Sequence, residues 1–458
     1  MPTLESPFAR GSRRGFASVE EREAGAAVSK WFDQVLFFIL SALLIFGPLA
    51  FGAVEEWSEL VLQVGAVVLL WIWAFREATM RQLFLPAFSL LQPLLLFFAL
   101  AITQLALRTT AYPFATFNEL MKDVVYGIFF LVAAHCFRTE KRLRWFALTF
   151  TIFGFLLALF SIIQSLTGTD KLYWLRAPHE ESVAIFGPYV NRNHYAGIME
   201  LLTPVAMGIA LHEKVSSPKR MLAAFAGIVM AASIVLSLSR GGMVAMLVEI
   251  LFLVMVVYGV NRSARTTLML LLFFVATLGF LAWLNGAGVI DRIETVSTEW
   301  KTDITGGRSA MARDTIHMFR QRPIAGWGLG TFASVYPQYR TFFTNLYIDH
   351  AHNDYVEVLA ETGVLGLGAM LWFVVQLYRK GLGKIQRQGG TWQSAMTLAA
   401  LTGCTGFLVH GFSDFNFHIP ANAAMFFAFA ALAGASARDQ GERAGAGRIE
   451  KWPDRPLP

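Results

Sequence analysis

Residues 349–354, Asp-His-Ala-His-Asn-Asp, form the densest group of side chains in this chain that could do chemistry. An apolar run follows directly, so the group lies at the start of a predicted helix. The positive end of a helix disfavours an imidazolium, and a neutral imidazole can take a proton from a hydroxyl near neutral pH. His352 is therefore a candidate general base. The structural alternative is that Asn353 or Asp354 caps the helix, with Glu357 in its first turn.

A metal site is a further alternative for the same group. Asp349, His350, His352 and Asp354 are residue types that bind divalent ions. Residues that alternate around a helix start rarely converge on one ion, however, and no ligand from elsewhere in the sequence is evident. The sequence also contains no CxxC, HExxH or GxxxxGKS/T motif. We therefore predict neither a bound metal nor another cofactor.

Two arginines beside glycines could bind a phosphate. Arg240 lies in Ser-Arg-Gly-Gly, 239–242, between two apolar runs, where glycine is expected to permit a tight turn. Arg308 follows two glycines and precedes a segment of helical character, 309–321. A planar guanidinium binds phosphate oxygens in a bidentate manner, and helix starts attract anions. The alternatives are that Arg240 reaches toward lipid headgroups and that Arg308 forms an ion pair.

Two further polar clusters, at 191–195 and 410–420, adjoin apolar runs. Amide and aromatic side chains in such clusters can hold sugars, and they can equally cap helices. The candidate substrate-binding residues in these clusters are Arg192, His194, Asp414 and His418.

The rest of the chain must position these residues in a membrane. Hydrophobic residues make up 55% of the chain, charged residues 15%, and the mean hydropathy is +0.50, which excludes a soluble protein. A hydrocarbon core of about 30 Å needs about 20 apolar residues per helix. We predict an all-α, polytopic integral membrane protein with about twelve transmembrane helices. They are residues 33–52, 60–75, 84–106, 120–137, 145–166, 193–211, 221–238, 242–260, 266–285, 355–377, 394–411 and 420–435.

Basic residues indicate which side of the membrane each loop occupies. Lys and Arg are concentrated in the N-terminal arm and in alternate loops, which marks these segments as cytoplasmic. We predict a cytoplasmic arm (1–32), a transmembrane domain (33–435) with one long periplasmic loop at about 285–355, and a disordered cytoplasmic tail (436–458). The formal charge of +6 follows from the cytoplasmic loops and does not indicate nucleic acid as a partner.

In their order and spacing, these motifs resemble those of the O-antigen ligase and polymerase superfamily of bacterial envelope glycan assembly. The shared motifs are Ser-Arg-Gly-Gly at 239–242, Gly-Gly-Arg at 306–308 with the glycine-rich run at 326–330, and His-Asn-Asp-Tyr at 352–355 leading to 361–366. The stretch 414–420 resembles one branch of the family. The resemblance covers roughly residues 185–435, and the first five spans match only in hydropathy.

The resemblance implies a glycosyltransferase at the periplasmic face of the bacterial inner membrane. The donor would be a glycan on a polyprenyl (undecaprenyl) diphosphate, and the acceptor a sugar hydroxyl on lipid A core or on another lipid-linked repeat. The family's arginines and histidine fall on Arg240, Arg308 and His352 of this chain. Two guanidiniums can stabilise the charge of a leaving diphosphate while His352 accepts the hydroxyl proton, so no metal ion is expected. Attack by the hydroxyl from the side opposite the diphosphate would invert the anomeric carbon.

Two other functions remain open. A transporter or flippase of a lipid-linked oligosaccharide would also suit about twelve spans and a basic cavity, but it would carry charges mid-span. The polar residues of this chain are instead expected to collect at one face of the membrane, which favours catalysis there. A non-catalytic scaffold would tolerate the loss of His352. The shared motifs do not separate ligase from polymerase, although the stretch 414–420 slightly favours an exopolysaccharide polymerase. Sugar identity, linkage and oligomeric state are not indicated.

Overall fold

The computed structural model describes residues 19–80, 85, 87–178, 184–212, 214–261, 307–344 and 347–435, with scattered positions between 268 and 279. Within these ranges the chain is helical and has no strand, which confirms the predicted all-α class there. The predicted tail, the first 18 residues of the predicted arm, and most of the predicted span 266–285 lie outside the described residues.

Helices follow one another through the described ranges, joined mostly by short turns. Proline at the first or second position starts several of them, where its fixed backbone angle suits a helix start. The helices are α1 (Val19–Leu49), α2 (Glu56–Met80), α3 (Phe88–Ala106), α4 (Pro113–Cys136), α5 (Glu140–Leu166), α6 (Arg192–Leu211), α7 (Ser217–Leu236), α8 (Arg240–Asn261), α9 (Arg308–Gln321), α10 (Phe332–Val335), α11 (Asp354–Arg387), α12 (Trp392–His410) and α13 (Pro420–Gly434).

Of the described helices, 8 are long and apolar enough to cross a membrane: α1, α2, α3, α5, α6, α7, α8 and α11. A polytopic membrane protein is therefore confirmed, but the predicted count of about twelve spans is not. The predicted spans 120–137, 394–411 and 420–435 are helical, as α4, α12 and α13, without meeting that standard. For α13 the reason is its length of 15 residues, short of the roughly 20 that a span needs.

The centre of the bundle is formed by α6, α12 and α13, which are the most enclosed helices. Of the 18-residue apolar stretch of α6, 83% is buried inside the protein. A Cβ on Gly403 of α12 would lie 3.0 Å from the Cα of Leu201 in α6, so the two backbones touch. Close approach at small residues is typical of helices that pack in membranes. This packing brings together the start of α6, the end of α12 and the start of α13, where the candidate site lies.

The glycine-rich run near 326 is a docking loop for a kink in α11. The helix is interrupted at Gly363, whose backbone has φ 65° and ψ −165°. The N–H of Trp327 donates to the carbonyl of Ala360 (3.0 Å), and the N–H of Gly328 donates to that of Glu361 (2.9 Å). A Cβ on Gly363 would lie 2.2 Å from the carbonyl oxygen of Ile324, so only glycine fits.

We expect Gly363→Ala to lower the stability of the fold by about 2 kcal/mol or more, because the left-handed backbone is strained for alanine and the new methyl meets the loop backbone. Thermal unfolding of the detergent-solubilised protein measures the loss. Gly368→Ala is the matched control, since it lies in the same helix with open space around its Cβ position. Equal melting temperatures for the two variants would contradict the docking role.

At the end of the bundle opposite the candidate site, a cluster of charged side chains joins four helices. The sequence did not predict this cluster. Asp33 of α1 lies 2.6 Å from Arg76 of α2, 2.9 Å from His135 of α4 and 2.8 Å from Arg142 of α5. His135 lies near the end of α4, whereas Glu119, which contributes to the candidate site, lies near its start. The two polar clusters are therefore at opposite ends of the bundle.

Candidate active site

The candidate site is built where the start of α11 meets the turn between α12 and α13. Asn353 caps α11 with its side chain, which accepts from the N–H groups of Tyr355 (3.1 Å) and Val356 (3.2 Å). Its amide nitrogen also donates to the carbonyl of Phe412 (2.9 Å). The capping interpretation is thus correct for Asn353. The cap also ties the residues before α11 to the turn, so it serves the site as well as the helix.

His352 lies beside a buried carboxylate in this turn. Its Nδ1 is 3.6 Å from Oδ1 of Asp414, which is fully buried, while the His352 side chain is 27% exposed. His194, at the start of α6, brings its Nε2 to 3.7 Å from the same oxygen. Burial alone raises the pKa of the Asp414 carboxyl, but the two histidine rings outweigh it and hold that pKa well below its usual range. Asp414 is therefore an anion that can orient His352.

The backbone of His352 is itself unusual. It has φ 50°, in the left-handed region that side chains other than glycine seldom adopt. Such strain persists only where surrounding contacts maintain it, and it is often found at functional sites. The ring of Phe415 supplies contacts to three histidines, with centroids 4.9 Å from His352, 4.8 Å from His194 and 4.4 Å from His350. Phe415 thereby holds the imidazoles as one group.

An acidic cluster holds His418, whose ring centroid lies 4.3 Å from that of His350. Its Nδ1 lies 3.3 Å from Glu119 of α4, and its Nε2 lies 3.4 Å from Glu357 and 3.9 Å from Asp354 of α11. Burial by itself lowers the pKa of the His418 imidazole, but these carboxylates outweigh it and raise that pKa well above its ordinary value. Glu357 also accepts from the N–H of Ala351 (2.7 Å), so the cluster fixes the backbone next to His352.

We expect the contribution of His418 to stability to be greatest at acid pH. Because the pKa is raised in the folded state, its interactions stabilise the fold fully below the unfolded value of about 6.5 and are lost as the pH rises through the raised pKa. Melting temperatures of the wild type and of His418→Asn, measured from about pH 6 to 9.5, should converge as the pH rises. A difference that stays constant over this range would contradict a charged His418.

Arg308, the first residue of α9, reaches the same turn from the loop side. Its guanidinium donates to the carbonyl of Ser413 (2.8 Å), the residue next to Asp414. Within the described part of the chain no ion pair involves Arg308, so the ion-pair alternative finds no partner there. The helix predicted at 309–321 is present as α9. One of five guanidinium N–H groups is used by Ser413, which leaves a forked donor face.

Arg240 is the first residue of α8, and the glycines after it have a different role from the predicted one. The expected glycine turn is wrong: the left-handed residue between α7 and α8 is Leu238 (φ 57°), and Gly241 lies within the helix. A Cβ on Gly241 would lie 2.6 Å from Oγ of Ser413 and 2.6 Å from the His410 ring. Gly241 therefore permits close packing, which brings the start of α8 against the turn that Arg308 and His352 contact.

The capping interpretation is correct for the cluster at 191–195, whereas sugar binding by it stays a prediction. Asn191 caps α6, since its side chain accepts from the N–H of Asn193 (2.9 Å). Arg192 is the first residue of α6, and its backbone N–H donates to the carbonyl of Ala184 (2.9 Å). Two residues later, His194 reaches Asp414. The structure therefore brings His194 to Asp414, and it places Arg192 two residues earlier, at the start of the same helix.

His350, Glu357 and His418 form a group that could hold a metal ion, because their ligand atoms lie within 4.8 Å of one another. The residue types suit a zinc-like ion. The group shares only His350 with the set considered from the sequence. His350 Nδ1 and Glu357 Oε1 are 2.7 Å apart, the distance of a direct hydrogen bond. The absence of a metal therefore stays a prediction.

Buried acidic groups also lie deeper in the bundle, where the sequence reasoning expected none. Glu200 of α6 lies 2.7 Å from His410 of α12, and both side chains are buried. Glu249 of α8 is 3% exposed, and it packs against Gly406, where a Cβ would lie 2.0 Å from its Oε1. The expectation that polar residues collect at one face is therefore incomplete. Glu200 and Glu249 each stand alone in an apolar run, so no local sequence pattern indicates them.

The fold and this group of side chains define a polytopic, all-helical membrane protein with a polar site where α6, α8, α11 and α12 meet. A family model described as O-antigen ligase matches residues 225–373, about a third of the chain, so this segment is similar to the O-antigen ligase family. The resemblance found in the motifs is thus confirmed. No curated protein matches the chain.

The matched segment contains some of the candidate site residues and excludes others. Arg240, Arg308 and His352 lie inside it, together with the acidic residues at the start of α11. The residues from α4, from α6 and from the turn after α12 lie outside it: Glu119, Arg192, His194, Asp414 and His418. The family supports glycan transfer of the O-antigen ligase or polymerase type in the cell envelope, which is the general class of activity expected here.

Proposed function

We propose that this protein transfers a glycan from a polyprenyl-diphosphate carrier to a sugar hydroxyl, with His352 as general base and Arg240 and Arg308 at the diphosphate. One observation carries the proposal: His352 and Arg308 contact the adjacent residues Asp414 and Ser413. A base and a phosphate-binding group are thus held by one short turn, although they come from distant parts of the chain.

The pairing of His352 with Asp414 suits proton abstraction. With its Nδ1 side turned to a carboxylate, the imidazole can keep a proton on Nδ1 and accept another on Nε2. The anion then stabilises the imidazolium that forms. The separation of 3.6 Å is longer than an ordinary hydrogen bond, and such contacts commonly shorten when the substrate binds. General-base assistance of this kind is typically worth about 10²–10⁴ in rate.

The arginines suit the leaving group. A glycosyl diphosphate gains negative charge on its leaving oxygen as the glycosidic bond breaks, and preorganised donors at that oxygen lower the barrier. Arg308 is oriented by Ser413, and Arg240 begins the helix that packs against the same residue through Gly241. Attack by the acceptor hydroxyl from the opposite side would invert the anomeric carbon.

A lipid chain can be accommodated beside the site. A groove between α3, α4, α11 and α13 is lined by phenylalanines and leucines, and His418 lies at its polar end together with Glu119, Asp123 and Glu361. Carboxylates repel a diphosphate, so the charges divide the site into an arginine side for the diphosphate and a groove for a hydrocarbon chain.

We assign the reaction to the periplasmic face of the bacterial inner membrane, with both termini in the cytoplasm. This rests on the distribution of basic residues: Lys214, Lys219 and Arg142 lie toward the end of the bundle opposite the candidate site. The acceptor is a glycan on lipid A core or on a second lipid-linked repeat, and no nucleic acid is involved.

Deletion of the gene, with gel analysis of surface glycans, tests the function. Loss of long chains with lipid-linked polymer accumulating identifies a ligase, and loss of polymer with single repeats remaining identifies a polymerase. Unchanged surface glycans would contradict both. The transporter alternative retains one supporting observation, the buried Glu249 within α8, and it predicts that lipid-linked units accumulate on the cytoplasmic side in the deletion strain.

A chelator should leave transfer by the purified protein unchanged, because two guanidiniums can stabilise a leaving diphosphate without an ion. Product is measured with EDTA present and with Mg²⁺ or Zn²⁺ restored. If EDTA stopped the reaction and Zn²⁺ restored it, the metal-free mechanism would be wrong and His350, Glu357 and His418 would be the ligands to test.

A further inference from the structure

A groove between α5 and α7 lies at the opposite end of the bundle from the candidate site. Its volume is about 800 Å³, within the range of about 300–1,000 Å³ typical of ligand pockets. His194 lies in the first turn of α6 at the candidate site, and His212, which follows α6, lines this groove. The 20 residues of α6 span about 30 Å at 1.5 Å per residue, the thickness of a hydrocarbon core. The groove therefore faces the other leaflet and takes no part in the candidate site.

The walls of the groove are apolar and accessible. Leu148 and Ile152 of α5 are 49% and 50% exposed, and Leu222 and Phe225 of α7 are 69% and 52% exposed. The Phe225 ring contacts that of Phe155 at 5.8 Å between centroids, which closes the groove between the two helices. Walls of this kind, facing the membrane laterally, suit acyl chains.

The mouth of the groove is lined by cations and contains no acidic residue among its described lining. Lys214, Lys219 and Arg144 lie there. Arg144 pairs with Glu140 and lies 5.5 Å from the centre of the Trp392 ring. Within the described residues neither lysine has an ion-pair partner. The two lysines therefore give the mouth a positive charge that no described carboxylate offsets.

Two buried donors belong to residues that line the same groove. Trp392 lines it, is 7% exposed, and its indole N–H has no hydrogen-bond partner among the described residues. The same is true of the Thr151 hydroxyl, whose residue is 6% exposed and lies about 10 Å along α5 from Arg144. α7 begins at the mouth, and its N-cap residue Ser216 makes no side-chain cap. Pro218 has no N–H, so the backbone N–H groups of Ser217 and Lys219 are the ones available to an anion.

We propose that this groove binds one anionic phospholipid of the leaflet opposite the candidate site. The phosphate lies between Lys214, Lys219 and the start of α7, Trp392 donates to a headgroup oxygen, and the acyl chains lie along α5 and α7. Thr151 is at the depth of the glycerol esters and can donate to an ester carbonyl. A zwitterionic lipid fits less well, because no described carboxylate in the groove receives an ammonium group.

The test uses the full-length protein in neutral detergent, titrated with phosphatidylglycerol, phosphatidylcholine or inorganic phosphate and read by native mass spectrometry and melting temperature. We expect one tightly bound phosphatidylglycerol and much weaker phosphatidylcholine binding. The double variant Lys214→Gln/Lys219→Gln should bind phosphatidylglycerol roughly tenfold to thirtyfold more weakly, since each lysine near an anionic headgroup contributes about a fivefold factor.

The control is Arg379→Gln/Lys380→Gln, which removes two exposed charges from α11 that do not line the groove. It should bind within about twofold of the wild type. Equal loss in the control would mean diffuse surface attraction, and saturation by inorganic phosphate alone would mean a free-anion site. Either result overturns the proposal, as does equal affinity for the two lipids. Trp392→Phe provides a second test, because it removes the indole N–H and leaves the net charge unchanged. This variant should also weaken the binding of phosphatidylglycerol.

Discussion

His352→Ala should reduce glycan transfer by a factor of about 10²–10⁴ while the protein remains folded in the membrane. The variant removes the one imidazole of the site that is both partly exposed, at 27%, and directed at the buried Asp414 carboxylate. Histidine and alanine both carry a Cβ, so the left-handed backbone at this position, with φ 50°, meets no additional Cβ contact in the variant. The loss should therefore appear in the rate of the chemical step and leave the melting temperature nearly unchanged.

The assay is product formation by purified protein from a lipid-diphosphate-linked glycan and an acceptor, resolved on a gel. His317→Ala is the matched control, because His317 lies on the exposed face of α9 within the same matched family segment. It should retain wild-type turnover. Normal product with His352→Ala would remove the general base from the mechanism and favour the scaffold interpretation.

Local pattern was sufficient to predict the helix that follows His352. The change from a polar cluster to an apolar run, with Asn353 at the boundary, specifies a capped helix start, and the structure has one there. The helical character of residues 309–321 likewise predicted a helix, and α9 is present there. Such features depend on residues within one or two turns of each other, and the sequence presents those side by side.

Partners that are distant in the chain could not be predicted in this way. Glu119 reaches His418 from α4, and Glu200 reaches His410 from α6. Glu200 stands alone among apolar residues, and Glu119 has only Lys122 and Asp123 as charged neighbours in the sequence. Neither local pattern indicates the distant histidine, so only tertiary packing reveals that contact. The glycines at 241–242 show that sequence alone also does not reveal why a glycine is required. A glycine needed for a turn and a glycine needed for helix contact look alike in sequence, and the structure assigns Gly241 to contact.

Arg308→Lys tests whether the site recognises a diphosphate by shape or only by charge. Lysine keeps the positive charge but replaces a planar fork with a single ammonium, so it cannot both donate to Ser413 and present two parallel N–H groups to phosphate oxygens. We expect transfer to fall by roughly tenfold to a hundredfold. Arg308→Ala should fall further, by about 10²–10³, as when one preorganised donor is removed from a charge-stabilising site.

The control for Arg308 lies on the same helix. Arg313 is exposed, and its Nε donates only to the backbone of Ser309 (3.3 Å), so Arg313→Lys should leave turnover within about twofold of wild type. The rates are measured at saturating and at limiting donor, because an arginine that acts on the leaving group lowers kcat, whereas one that only attracts the donor raises KM. If Arg308→Lys matched the wild type in both parameters, the guanidinium would serve only to anchor α9 to the turn at Ser413. His352 would then act as a base without a bidentate guanidinium at the leaving group. Arg308 and His352 would no longer take part in one mechanism.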